Sequence, residues 1–370
     1  MKGHLRQRSP GSWELRYRAN GRTVTTTFRG SKTDANKELR RLLTLVDKGQ
    51  HASSGSMTVA EWMERWLGFV AEEQAPYTLD KYRYLVTSYI VPGIGKHRLD
   101  RLTPGIISDF YSGMLGRRGK PLGPRTRSQI HACLSGALKR AGKLRLISYN
   151  PATDCSDQLP RFEKTEMTVL SAEQSRQLLD AAMGTQLYPA VLIALATGAR
   201  RGECLGLRWR NVELDRGVIR NVEQLEQRRG QGVRSKPPKG EKDRSVNLAP
   251  THVEMLRRLK VQQAEHFLSC GVRHSRDMFV CGRPDGSPLT PETLSDMFGK
   301  FVRRIPGMPQ ISFHDLRHTH ATLGLEAGIP AKVIQERLGH SSITMTLDLY
   351  SHVTGTMQEQ AAAKLDEVFR

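Results

Sequence analysis

Two short polar stretches cut this chain into three pieces with different hydrophobic rhythms, and that division limits its fold more than any other feature. The first, His51-Ala52-Ser53-Ser54-Gly55-Ser56, has the composition of a flexible linker. The second runs from Asn150-Pro151 to about Lys164. Before the first, side chains alternate at strand period. Between the two, apolar residues recur at helical spacing. After the second, both periods occur. Three textures in 370 residues predict an α+β protein, mostly helical, with domains at 1–55, 56–160 and 161–370.

In the first piece, Trp13-Glu14-Leu15-Arg16-Tyr17-Arg18 alternates as a strand does, and Asn20-Gly21 is a hairpin signal. Arg22 to Phe28 is rich in Thr and Val and should be the partner strand. A helix follows from about Ser31, with Ala35, Leu39, Leu42, Leu43 and Val46 on one face, and Gly49 as its stop.

The second piece opens on a capping-box pattern, Thr58 with Glu61, before Val59, Trp62, Trp66, Leu67 and Val70. A second helix is predicted from about Thr78 to Ile90, stopping at Pro92. Thr103-Pro104 opens a third. A fourth carries Ile130, Leu134, Ala137, Leu138 and Ala141 on one face, flanked by Arg125, Arg127, Lys139, Arg140, Lys143 and Arg145. Four amphipathic helices suit a compact bundle.

In the third piece Ser171 with Gln174 caps a helix, and Tyr188 to Ala196 forms another. Val218 to about Val222 and Arg244 to Leu248 read as strands, separated by a Lys/Arg/Pro/Gly-rich stretch. Helices are expected at 250–266 and 290–304, then from about His314 to Arg370 with breaks at Gly328 and Gly339. The piece is therefore mixed α/β.

Charge narrows the function. The chain has 57 Lys+Arg against 37 Asp+Glu, a formal net charge of +20. Residues 1–50 contribute +8, residues 51–150 another +8, and the remainder only +4. A basic surface on that scale attracts polyanions, of which nucleic acid is the commonest in a cytosol. Arg16 and Arg18 on the predicted strand, with Arg125, Arg127, Lys139 and Arg140, are the candidate DNA-binding residues. No apolar run reaches the length of a spanning helix, and no apolar stretch follows the basic N-terminus, so neither a membrane nor a secretory role is expected. Five scattered cysteines with no C-x-x-C pair predict neither a disulfide framework nor a thiolate zinc site and fit a reducing cytoplasm.

Four stretches carry the chemistry. They are Thr197-Gly198-Ala199-Arg200-Arg201-Gly202-Glu203, Lys236-Pro237-Pro238-Lys239-Gly240-Glu241-Lys242-Asp243-Arg244, His314-Asp315-Leu316-Arg317-His318-Thr319-His320, and Leu338-Gly339-His340 through Tyr350-Ser351-His352. In this order and with this spacing the chain resembles the tyrosine recombinases, the phage-type (lambda-type) integrase family, over about residues 165–355. The resemblance implies a catalytic set of Arg200, Lys239, His314, Arg317, His340 and the nucleophile Tyr350, with Glu203 supporting Arg200. Lys239 is preferred to Lys242 and Lys236 because Pro-Lys-Gly best matches the family's hairpin.

The residue types are chemically apt. A tyrosine that cleaves a phosphodiester builds negative charge on the transition state. The four stretches offer arginines and histidines to meet it rather than a carboxylate cluster for metals. Arginine's planar fork matches two phosphate oxygens and stays charged. A tyrosine hydroxyl near its usual pKa of about 10 needs a proton acceptor, and the leaving 5′-oxygen needs a donor, for which a hairpin lysine is suitable. No metal site, cofactor or ATP-binding loop is read. His318, His320 and His352 are assigned no role.

By the same resemblance, residues 56–160 form a helical, SAM-like core-DNA-binding domain and residues 161–370 the catalytic domain. Residues 1–55 are similar to the small three-stranded arm-binding domains of lambda-type integrases, a generic basic module being the other reading. The expected function is a site-specific recombinase that cuts and rejoins double-stranded DNA at attachment sites through a 3′-phosphotyrosine, integrating and excising a mobile element or prophage. The implied partners are DNA, three further copies in a homotetramer, and accessory factors of the directionality and DNA-bending kinds. The C-terminal stretch, with Met357, Ala361, Leu365 and Val368 at helical spacing, is expected to dock on a neighbouring subunit or on its own. The rivals are a type IB topoisomerase, which would relax supercoils without strand exchange, and a non-catalytic DNA-binding regulator.

Overall fold

A computed structural model describes residues 3–19, 22–47, 57–116, 119–159, 167–228, 232–237, 244–340 and 342–347, with single positions at 366 and 369. The chain divides into two compact units, Met1–Lys164 and Thr165–Arg370.

The first unit holds two separate cores. Strands β1 (His4–Ser9), β2 (Ser12–Ala19) and β3 (Arg22–Arg29) form an antiparallel sheet in that order. Leu15 and Tyr17 of β2 point inward against Ala35 and Leu39 of helix α1 (Lys32–Asp47). Strand alternation then turns Arg16 and Arg18 outward, where they face Thr25 and Thr23 of β3. β1 is the third strand that the resemblance implies; its own residues show no strand period because Leu5 is its sole apolar residue. The expected turn at Asn20-Gly21 and the linker at 51–56 lie outside the described residues.

The second core is a helical bundle. Helix α2 (Val59–Glu73) starts at the expected capping box, with Thr58 Oγ1 accepting from the Glu61 N–H and Glu61 Oε2 from the Thr58 N–H. Trp62, Met63, Trp66, Leu67 and Val70 are buried. Helix α3 (Pro76–Leu85) does not stop before Pro92. It passes through a π-helical turn, Val86–Ile90, into α4 (Val91–Ile94), which contains the proline. The Val91 N–H reaches back five residues to Val86 O, and the wider turn accommodates a ring with no N–H to donate. Helices α5 (Pro104–Ser112) and α6 (Pro124–Lys143) complete the bundle, with Ile130, Leu134, Ala137, Leu138 and Ala141 of α6 buried. The stretch read as a linker still belongs to the bundle as far as Leu159. A 3-10 turn at Thr153–Gln158 inserts Cys155 into the core, and Leu159 packs on it.

The second unit is built around α8 (Tyr188–Thr197), buried almost along its whole length. Helix α7 (Ala172–Ala182), capped by Ser171 and Gln174, packs beside it, and the short α9 (Arg201–Gly206) follows it. Strands β4 (Val212–Glu213) and β5 (Val218–Asn221) lead to a separate hairpin, β6 (Gln224–Arg228) and β7 (Gly232–Lys236), and then β8 (Arg244–Asn247). One antiparallel sheet has the order β4-β5-β8, and β6-β7 forms a second. The basic stretch between the two expected strands thus contains a hairpin of its own. Helices α10 (Pro250–Ser269), α11 (Pro291–Val302), α12 (Asp315–Glu326), α13 (Ala331–Leu338) and α14 (Thr344–Leu347) complete the unit. Glycines 328 and 339, both at positive φ, end α12 and α13 as expected. No helix among the described residues is long and apolar enough to cross a membrane.

Candidate active site

After α8 the chain reverses at Gly198, which is left-handed with φ 64°. This places Arg200 at the N-cap of α9, three residues before Glu203. The Glu203 carboxylate turns back on it, accepting from the Arg200 N–H through Oε2 at 2.8 Å and from Arg200 Nη1 through Oε1 at 2.8 Å. Arg244, the first residue of β8, donates to Glu203 Oε2 from Nη2 at 2.7 Å. Glu203 is 2% exposed. Burial alone would raise its pKa, but Arg244 and Arg200 outweigh it and hold the carboxylate below its usual range.

Arg317 lies on α12, 3% exposed. Its Nη1 donates to Gly198 O at 2.8 Å and its Nη2 to Leu338 O at 2.7 Å. Arg200 Nη2 donates to Gly339 O at 3.1 Å, and Arg244 Nη1 donates to Leu338 O. Three guanidiniums from three parts of the fold therefore meet at the carboxyl end of α13. Helix ends leave carbonyls without partners and carry partial negative charge, which suits cations. The left-handed Gly339 ends the helix there and hands the chain to His340.

His340 shares a hydrogen bond with Thr346 through Nδ1 and Oγ1 at 2.9 Å. His314, the N-cap residue of α12, meets the His318 ring edge to face, with centroids 5.0 Å apart. Crowding by surrounding protein, and then the neighbouring cations and His318, lower the pKa of His314 and of His340 to about 4. Both imidazoles are therefore neutral at pH 7, with a ring nitrogen lone pair each. Burial, then Arg200 and Arg244, lower the pKa of Arg317 to about 9, so it remains a cation at neutral pH. Three guanidiniums face one carboxylate, and the excess positive charge invites an anion.

The sequence model of the phage integrase family matches residues 168–357, just over half of the chain, and that of its N-terminal SAM-like domain matches residues 58–115. The chain belongs to the phage integrase family. It is accordingly a DNA strand-transfer enzyme, a site-specific recombinase of the tyrosine class. Among its relatives is a "Tyrosine recombinase XerC-like" protein of Caldanaerobacter subterraneus subsp. tengcongensis, 25% identical over 95% of this chain and 93% of that protein. An "Integrase" of Saccharopolyspora erythraea is 27% identical over 92% and 89%, and the "ICEBs1 integrase" of Bacillus subtilis 27% over 80% and 79%. The fold is that of the Tn1549 transposon integrase in complex with transposon right-end DNA, with a TM-score of 0.70 and 22% identity over 85% of this chain and 100% of that one. A lambda integrase dimer bound to a COC′ core site gives 0.57, with 22% identity over 79% and 95%.

Of the residues read as the catalytic set of this recombinase and its support, Arg200 and Arg317 are joined with the supporting Glu203 through one hydrogen-bonded cluster. His340 follows directly on its hub, and His314 begins the helix that carries Arg317. Lys239 and Tyr350 lie outside the described residues, as do Lys242, His352 and all of the C-terminal stretch but positions 366 and 369. Lys236 pairs with Glu226 across the β6-β7 hairpin at 2.5 Å. His320 has a structural place: its Nδ1 meets Leu195 O at 2.7 Å behind Gly198.

Arg244 is the site residue that the sequence reading misses, although it closes the second motif. Its signal is strand alternation: it shares a face with Val246, which is buried. The candidate DNA contacts divide. Arg16, Arg18, Arg125 and Lys139 are exposed. Arg127 instead turns into the bundle, donating from Nη2 to Tyr111 O at 2.7 Å. Arg140 binds both oxygens of Glu73 at 2.6 and 2.8 Å and lies 4.2 Å over the Phe69 ring. Among the described residues, no three His, Cys, Asp or Glu side chains gather where a metal ion would sit.

Proposed function

We propose that this recombinase integrates and excises a mobile element by tyrosine attack on a scissile phosphate held at the carboxyl end of α13. Arg200 and Arg317 would neutralise the two non-bridging oxygens as charge builds, each such donor being worth roughly 10²–10³ in rate. Tyr350 attacks phosphorus. Its phenolic proton passes to a neutral imidazole, His340 or His314, and the 3′-phosphotyrosine bond forms as the bond to the 5′-oxygen breaks. Lys239 protonates that oxygen. The free 5′-hydroxyl of a partner duplex then reverses the step, so the bond energy is kept and no nucleotide cofactor is spent. The observation that carries the reading is the convergence of Arg317 and of Arg200, which Glu203 supports, on one helix end.

Residues 56–160 act as the core-binding domain, 161–370 as the catalytic domain, and 1–55 as an arm-binding module presenting Arg16 and Arg18. Arg125 and Lys139 reach phosphates from the bundle. Four protomers assemble on two duplexes, in the manner of "a lambda integrase tetramer bound to a Holliday junction", with directionality and bending factors as further partners in the cytoplasm.

The test is a nicked suicide duplex carrying the element's own attachment sequence, recovered by sequencing across the ends of the inserted DNA. The native protein should become covalently attached to it and Tyr350→Phe should not. Equal adduct formation by the variant would remove Tyr350 from the mechanism.

A further inference from the structure

Arg244 has no part in the chemistry just described, yet its side chain ties β8 to both α9 and the end of α13. Its side chain is 10% exposed. Its two terminal nitrogens grip different elements, Nη2 donating to Glu203 Oε2 at 2.7 Å and Nη1 to Leu338 O. Both acceptors are shared: Glu203 also holds Arg200, and Leu338 O also holds Arg317 at 2.7 Å. The turn after α13 is shaped around it. A Cβ at Gly339 would lie 3.1 Å from Arg244 Nη1 and 3.3 Å from its Cδ.

We propose that Arg244 is a positioning residue for strand cleavage, bridging Glu203 and the Leu338 carbonyl so that the Arg200 and Arg317 guanidiniums keep one spacing toward the scissile phosphate. The role rests on the recombinase reading above. It calls for arginine because a planar fork spans two acceptors, whereas an ammonium is a point charge. Arg244 acts through the other two cations and needs no contact with DNA. Losing it lets them drift, and a misplacement of about 1 Å can cost on the order of 10²-fold in rate.

The experiment measures single-turnover adduct formation by R244K and R244Q on the nicked attachment-site duplex, alongside duplex affinity and melting temperature. Glu203 keeps Arg200 as a partner in both variants. R244K also keeps a cation beside the carboxylate, and it carries the test should R244Q fail to fold. The expected result is a rate lowered about 10²-fold with duplex Kd within about threefold of native.

Two modified substrates separate a guanidinium effect from a leaving-group effect. A methylphosphonate at the cleavage position removes a negative oxygen and so reduces the demand on Arg200 and Arg317; it should narrow the gap between R244K and native protein. A 5′-bridging sulfur departs without a proton and should leave the gap unchanged. R244K reacting within about twofold of native protein, a gap closed by the sulfur substrate, or a gap that the methylphosphonate leaves intact would each overturn the role. Native protein that forms no adduct at all would overturn the recombinase reading and this role with it.

Discussion

Replacing Gly198 by alanine should damage both stability and cleavage, and the size of the damage follows from the geometry. Gly198 has φ 64°, so an added Cβ meets left-handed strain of about 1–2 kcal/mol. That Cβ would also lie 2.4 Å from Leu338 Cδ2 and 2.8 Å from His320 Cδ2. Neither neighbour is free to retreat. Leu338 is fully buried with Ala321, Leu325 and Ile334, and His320 is held by Leu195 O. Overpacking of this kind costs about 1–3 kcal/mol. Together the two terms come to roughly 2–5 kcal/mol. In a unit of about 200 residues that lowers Tm by roughly 4–20 °C. Gly198 O and Leu338 O both hold Arg317, so whatever shift relieves the clash also moves the site. Calorimetry and adduct formation on the nicked duplex would be measured on one preparation, at a temperature where the variant is folded. An alanine variant that melts within about 1 °C of native protein and cleaves at the native rate would refute the argument.

Other outcomes follow from the same structure. Glu203→Ala leaves the nearly buried Arg244 guanidinium and the partly exposed Arg200 guanidinium without their carboxylate and should destabilise by about 3 kcal/mol, the low end for a broken buried pair, read as a lower denaturation midpoint. His314 and His340 have pKa values of about 4 in the fold against 6.5 ordinarily. Between those values the unfolded chain binds more protons, so their contribution to stability is complete above about pH 6.5 and declines as the pH falls toward about 4; Tm against pH measures it. Arg125→Ala should lower the slope of log affinity against log salt by about 0.9, the share of one phosphate contact. Arg127→Ala should instead lower Tm and leave the slope alone, because that side chain is spent on Tyr111 O.

Much of the molecule is legible in its amino-acid order. The capping boxes at Thr58 and Ser171, the Arg22 strand with its alternating partner, and the breaks at Gly328 and Gly339 depend on neighbours a few residues apart, which a sequence displays directly. The misses have local causes too. β1 offers one apolar residue, so its period is invisible. Pro92 stops a regular helix, but the π-turn before it changes the spacing the proline meets. The partners that Arg127 finds in Tyr111 O and Arg140 in Glu73 are also not foreseen, because charge is written in the sequence and side-chain direction is not.

The residue types of the candidate site, their order and the basic character of the first two pieces belong to the sequence alone. Tertiary structure decided that Arg244 joins Glu203, that Arg317 is anchored to Gly198 O, and that three guanidiniums meet at Leu338 and Gly339. The physical reason is that most of the acceptors are backbone carbonyls. Every residue carries the same one, so nothing in the sequence marks which will be left open at a helix end and brought within 3 Å or so of an arginine more than a hundred residues away.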